Sequence, residues 1–294
     1  KIFIITSTLG KDVNQSGLTF YKDYYMSNDP NSRPIWFNEE KELDEKSLFV
    51  ATPVHSEVSI HYTQSLLELQ KQAIKKKIKI VFQLYKSSLV TQGRNLCVSA
   101  FLRSGFSHLL FIDSDIGFKA KSAFNLLDAD KDVISVPYAL KDMCWDKALY
   151  MIKNDKIKTI EDLKYKAFYR YPFKVADHEK IEVQKGAIEV THSPTGFMMI
   201  KRTVFEKMID KYPEYEIIQD NIINGKNEKV KYFYNFFDTL HDPKTKSYLG
   251  EDFAFCKRWR DMGGKCYCLV NDYITHVGEH QYTACFADEL IKQF

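Results

Sequence analysis

The sequence predicts an α/β fold: a mostly parallel central sheet with helices on both faces. Three observations carry this expectation. Short apolar runs recur from residue 47 onward and are continuous rather than alternating, as in strands covered on both faces. Stretches with helical spacing separate those runs, and repeated strand-helix-strand order builds a parallel sheet. The chain has 294 residues, 45% hydrophobic and 28% charged, so it can enclose one large core.

The elements follow in order. SLFVATPV (47–54) reads as a buried strand leaving through Thr-Pro, and a helix is expected from about Glu57 to Lys76, with Leu66, Leu67, Leu69, Ala73 and Ile74 on one side. KIKIVFQLY (77–85) is a second strand. Residues 91–104 are a helix with Leu96, Ala100 and Phe101 spaced toward the core and Gly105 as its stop. HLLFI (108–112) is the third strand, 120–128 a short helix, and DVISVPY (132–138) the next parallel strand. Residues 141–185 and 210–249 are Lys-, Tyr- and Phe-rich with little periodicity and read as loops. Between them, 189–209 gives a strand, a Gly-containing turn, another strand and a helix. GEDFAFCKRWRDMGG (250–264) is a helix and KCYCLVND (265–272) the last strand. Residues 48–294 are therefore expected to form a single domain, and 1–47, which begin with strand-like KIFII, an extension of uncertain structure.

Composition narrows the function. A net charge of +3 argues against a dedicated nucleic-acid binder. The densest basic cluster, KKKIK (75–79), reads as a solvated helix end. No apolar run reaches the length of a membrane span. The six cysteines form no C-x-x-C pair, so a structural zinc site is not expected. Free thiols suit a reducing compartment, and a cytoplasmic location is the expectation. Cys266 and Cys268 should share one strand face.

The chemistry concentrates around Asp113-Ser114-Asp115. D-x-D occurs three times in the chain. Asp128, Asp130 and Asp132 lie in LLDADKD, where aspartate is a routine turn former. Only Asp113 and Asp115 directly follow an apolar strand. Ligands bind at the carboxyl ends of parallel strands, so this pair would sit on the binding rim. Two carboxylates there suit a hard cation, Mg²⁺ or Mn²⁺. His276, in YITHVGEHQY, is the best third ligand and would favour Mn²⁺. His280 is a weaker competitor. Glu251 and Asp252 open a helix, where acidic residues complement its dipole; alternatively one of them lies in the cleft as a base.

An apolar strand into D-S-D, then G-E-D-F-A opening a helix, then a strand and H-V-G, resembles the nucleotide-sugar glycosyltransferases of the GT-A fold. The resemblance spans about residues 48–285 and includes T-P (52–53), Q-G-R-N (92–95) and V-P-Y-A-L-K-D (136–142). It implies a GT-A, Rossmann-like sheet with acceptor-side loops. It further implies a nucleoside-diphosphate sugar as donor, Mn²⁺ or Mg²⁺ as cofactor, and a glycan or glycoconjugate hydroxyl as acceptor. By position, Asp115 would hold the metal, Asp113 would reach the ribose, the metal or both, and His276 would complete the shell. Thr52, Pro53 and Arg94 would line the base and ribose or approach the diphosphate, beside Ser114. Arg94 or Lys141 would offset charge on the leaving group. Thr195, Gly196 and Phe197 would shape the acceptor side. Asp252, neighboured by Glu251, would be the base of an inverting transfer; in a retaining enzyme it would only bind the acceptor. Trp145, Tyr150, Tyr232, Tyr234 and Phe236 are candidate sugar-stacking platforms. Two other classes remain. A haloacid-dehalogenase-type phosphatase also places D-x-D after an apolar strand, but Gly117 stands where those enzymes usually have Thr, and the pair falls past residue 100. A non-catalytic nucleotide- or carbohydrate-binding module is the other.

Overall fold

Strand β1 (Ile4–Thr6), strand β2 (Leu48–Val54) and helix α1 (Ile60–Lys76) open a computed structural model that describes residues 4–6, 46–177, 179–223 and 226–279. Next come β3 (Ile80–Lys86), α2 (Val90–Leu102), β4 (His108–Ile112), β5 (Ile116–Phe118), α3 (Ala120–Ala129) and β6 (Val133–Ser135). The expected loop at 141–185 contains helix α4 (Trp145–Lys153), a single turn α5 (Ile160–Asp162) and strand β7 (Lys174–Val175). Then follow β8 (Ala187–His192), β9 (Phe197–Lys201) and α6 (Arg202–Lys211). The second expected loop carries two hairpins, β10 (Asp220–Ile223) with β11 (Lys226–Lys229), and β12 (Leu240–Asp242) with β13 (Ser247–Leu249). Helix α7 (Glu251–Asp261), β14 (Cys266–Leu269) and β15 (Ile274–His276) close the described chain.

Nine strands form one sheet in the order β1-β3-β2-β4-β9-β6-β14-β8-β7. Six run one way, and β1, β8 and β9 run against them. The sheet is thus mostly parallel in direction, as expected, with one correction to its order. The strand expected at 132–138 is confined to Val133–Ser135 and does not pair with β4. Strand β9 lies between the two, antiparallel to both. The reason is physical: the first four residues of FMMIK are fully buried, and a strand apolar on both faces belongs at the sheet centre. At the start of the chain, Ile4–Thr6 adds an antiparallel edge strand to β3. The rest of 1–45 lies outside the described residues.

The sheet separates two cores. On one face Phe49, Leu109 and Phe111 meet Phe101 of α2, Phe205 of α6 and Phe255 of α7. On the other, Val50, Leu110 and Ile112 meet Leu69 of α1 and Leu126 of α3. All five residues of HLLFI are buried, alternating between the cores, which explains its continuous apolar reading. Cys266 and Cys268 share the first core, and the five described cysteines are free. Cys285 lies outside the described residues.

Local signals fix the helices. The Ser59 hydroxyl caps α1 by accepting from the Tyr62 amide at 3.0 Å, and Lys77 ends it in the left-handed conformation. KKKIK is the exposed end of that helix. Among the described residues no helix is long and apolar enough to cross a membrane.

Candidate active site

Asp113-Ser114-Asp115 leaves β4 at the sheet rim, and three segments pin its backbone. The Asp113 amide donates to Gly196 O (3.0 Å), the Ser59 amide to Ser114 O (2.8 Å), and the Val277 amide to Asp115 O (2.8 Å). The turn is closed locally by the Ile116 amide donating to Asp113 O at 3.1 Å, and it is also held by residues from α1's cap, the β8–β9 turn and the chain after β15, so the fold fixes its backbone.

Gly117 follows the pair closely. It lies inside β5, which pairs with β15, and a Cβ there would stand 3.1 Å from His61 Cβ and 3.4 Å from Thr275 Cβ. Its missing side chain lets α1 and β15 close on the strand below Asp115.

Arg94 organises one half of the rim. Its side chain is 3% exposed and lies over the Phe111 ring at 5.3 Å. Nη2 donates to Asp113 Oδ2 at 3.1 Å, and Nε donates to Glu251 Oε1 at 3.1 Å. Burial alone would depress the guanidinium, but the two carboxylates hold its pKa above the ordinary value. Arg94 therefore joins α2, β4 and α7 at the point where two acidic motifs meet.

Asp115 organises the other half. Lys141 Nζ stands 2.5 Å from its Oδ2, and His276 Nε2 lies 3.6 Å from the same oxygen. Burial pushes the Asp115 carboxyl up, but His276 and Lys141 outweigh it and hold the pKa at about 2. His276 Nδ1 is 2.8 Å from Ala139 O, an oxygen that only accepts, so Nδ1 carries the proton. Nε2 is then the ring nitrogen that faces Asp115. A histidine oriented by a carbonyl at one nitrogen is the arrangement metal-binding imidazoles use.

Buried atoms without partners mark the same place. Six buried side-chain polar atoms in the described residues have no hydrogen bond. Two of them are Arg94 Nη1 and Asp115 Oδ1; a third, Asp113 Oδ1, lies 3.0 Å from Arg94 Nη2 as an ion pair. Such atoms are rare in folded proteins and cluster where a ligand completes them. Asp115 and His276 offer a carboxylate oxygen and an imidazole nitrogen of the kind Mn²⁺ or Mg²⁺ accepts. Among the described residues no group of three or more His, Cys, Asp or Glu side chains is placed to hold a metal ion.

Asp252 stands next to Glu251 at the start of α7, after Gly250. Its carboxyl is pushed up to about 6, first by burial and then by the Glu251 charge; the Phe253 amide and Arg94 pull against this. Dipole complementation alone would lower it. A buried carboxyl raised to about 6 is a candidate general base.

Other expected site residues fall elsewhere. Thr52 is fully buried and its hydroxyl is bonded to Tyr62 at 2.6 Å, so it shapes the β2 exit without facing a ligand. Pro53 is at the rim, close against Gly93. Thr195 and Phe197 are buried at 1% and 0%, and Phe197 packs on Phe118. They support the rim from beneath and present no acceptor surface, because β9 runs through the sheet centre. Among the aromatics, Phe236 is core, Tyr232 and Tyr234 pack against that core, and Trp145 and Tyr150 stay exposed. His280 lies outside the described residues.

Sequence reading missed Tyr138. Its hydroxyl accepts from the Gly196 amide at 3.2 Å and its ring meets His276 edge-on at 4.9 Å. A Cβ on Gly196 would fall 2.4 Å from that hydroxyl. Tyr138 thus fixes the histidine ring and the turn under Asp113 together. The V-P-Y stretch after a strand was the available signal.

No family model matches the chain, and no curated protein matches it. Solved structures give distant likenesses. A197 from STIV is 17% identical with a TM-score of 0.41, over 79% of this chain and 86% of that one. A glycosyltransferase involved in glycosylation of the major capsid of PBCV-1 is 9% identical with a TM-score of 0.27, over 56% and 66%. The 4-diphosphocytidyl-2C-methyl-D-erythritolsynthase of Anaerococcus prevotii is 10% identical with a TM-score of 0.32, over 74% and 98%. At such distances the chemistry has to be read from the side chains.

Proposed function

We propose that this protein is a metal-dependent glycosyltransferase that moves a sugar from a nucleoside-diphosphate sugar to a hydroxyl of a glycan or glycoconjugate. One observation carries the reading: Arg94 ties Asp113 to Glu251, and the neighbours of that pair, Asp115 and Asp252, are two differently tuned carboxyls. Asp115 is held ionised beside His276, fit for a cation. Asp252 is raised to about 6, fit to take a proton.

Asp115 and His276 would hold Mn²⁺ or Mg²⁺, with Asp113 beside them. When bound, the cation supplies charge neutralisation for the leaving diphosphate. Lys141 adds a second positive charge there. Arg94 keeps Asp113 and Glu251 in register. Asp252, ionised above pH 6, accepts the acceptor hydroxyl's proton as that oxygen attacks the anomeric carbon, which makes the reaction inverting. Trp145, exposed at the start of α4, offers a face for the acceptor sugar.

The test is donor turnover with and without Mn²⁺, followed by release of the nucleoside diphosphate. Asp252→Asn is expected to keep donor affinity and lose about 10²- to 10⁴-fold in transfer. Near-wild-type transfer by that variant would remove Asp252 from the chemistry.

A further inference from the structure

Lys141 holds the position at which a cation would meet Asp115. Its ammonium shares Oδ2 with His276 Nε2, at 2.5 Å and 3.6 Å. The surrounding chain is built for it. The lysine stem lies along Gly278, where a Cβ would fall 2.6 Å from Cδ and 3.1 Å from Cγ. Ala139 O binds the His276 ring, and the Val277 amide binds Asp115 O. Residues 139–141 and 276–278 therefore interlock around one carboxylate. The second oxygen of Asp115 remains buried and unpartnered. The lysine side chain is half-exposed, at 40%.

A divalent cation approaching Asp115 and His276 meets that positive charge and must displace it. Alone, the cation gives the ammonium nothing in exchange. A diphosphate does: it brings several negative oxygens, to which a lysine binds as a point charge. We propose that Lys141 is a charge gate that makes cation binding conditional on the diphosphate. It guards Asp115 against the bare ion and shifts onto the phosphates when both arrive, so that cation and donor bind as one unit. The inference rests on the reading of this rim as a cation and nucleotide-sugar site.

The test is a coupling measurement on the full chain. Mn²⁺ affinity is measured by electron paramagnetic resonance, alone and with saturating UDP or, separately, GDP. Wild type is expected to bind Mn²⁺ weakly alone and about tenfold or more tighter with one of the diphosphates. Lys141→Met should bind Mn²⁺ alone about tenfold tighter than wild type, with the coupling ratio reduced by a similar factor. Lys141→Arg should keep the coupling. Equal coupling ratios in wild type and Lys141→Met, with Mn²⁺ still bound, would overturn the gate and leave the site reading standing. Failure of all three proteins to bind Mn²⁺ with either diphosphate would overturn the site reading itself.

Discussion

Asp252 and Asp115 give the site opposite pH signatures. The Asp252 carboxyl sits at about 6, above its ordinary 3.8, so the native state holds that proton more tightly than the unfolded chain. Between those values the native state binds more protons, and this group's contribution to stability falls as pH rises. Above 6 its ionised form is a standing cost. Asp252→Asn removes that cost, so its melting temperature relative to wild type is predicted to climb from pH 4 to pH 7. A flat difference across that range would mean the carboxyl is not raised. Transfer should rise with pH through about 6 and then level off, in a profile of turnover at saturating donor. Asp115 behaves in reverse. Held at about 2, it contributes stability above its ordinary 3.8 that is lost as pH falls toward 2. Sequence suggested both residues from position, but not these environments. Burial and the Glu251 neighbour of Asp252 come from packing that helical spacing does not encode.

At the level of elements, the site is where α2, β4 and α7 are tied together. Arg94 and Glu251 are 157 residues apart in sequence, and no local pattern announces their contact. Arg94→Met strands two carboxylates against a buried apolar stem and is predicted to cost about 3 kcal/mol, read from the urea midpoint at constant slope. Arg94→Lys keeps a charge but reaches one partner at a time, so it should recover only part of that loss. A loss below about 0.5 kcal/mol in the methionine variant would show that the three elements do not depend on the guanidinium. Gly196→Ala drives a methyl into Tyr138 and is predicted to destabilise by about 2 kcal/mol while also displacing His276. Apolar runs and caps did locate the elements: HLLFI matches β4, and GEDF opens α7. Strand neighbours were less legible. The same apolar signal serves for any buried strand, so it identified β9 as a strand and left its insertion between β4 and β6 unseen.

For the whole molecule, the sheet's two covered faces leave its rim as the place where polar groups converge. The D-x-D pair, the acidic start of α7 and the late histidine arrive there from residues 113, 251 and 276, in the order read from sequence. On that rim the acidic groups are paired with Arg94 and Lys141. A groove of about 850 Å³ between α1 and α3, lined by Gln64, Asn125 and Tyr273, also reaches Gly117 and Thr275 beside the site. It is lined by none of the converging carboxylates. The central claim is that the rim binds a nucleotide sugar through a cation on Asp115. A thermal-shift screen of nucleotide sugars with and without Mn²⁺, on wild type and Asp115→Ala, tests it most directly, because ligands that bind only the native state raise its melting temperature. One nucleotide sugar should stabilise wild type in the presence of Mn²⁺, lose most of that effect without it, and leave a folded Asp115→Ala unchanged. An equal shift in wild type and Asp115→Ala, or no shift from any nucleotide sugar with Mn²⁺, would contradict the claim.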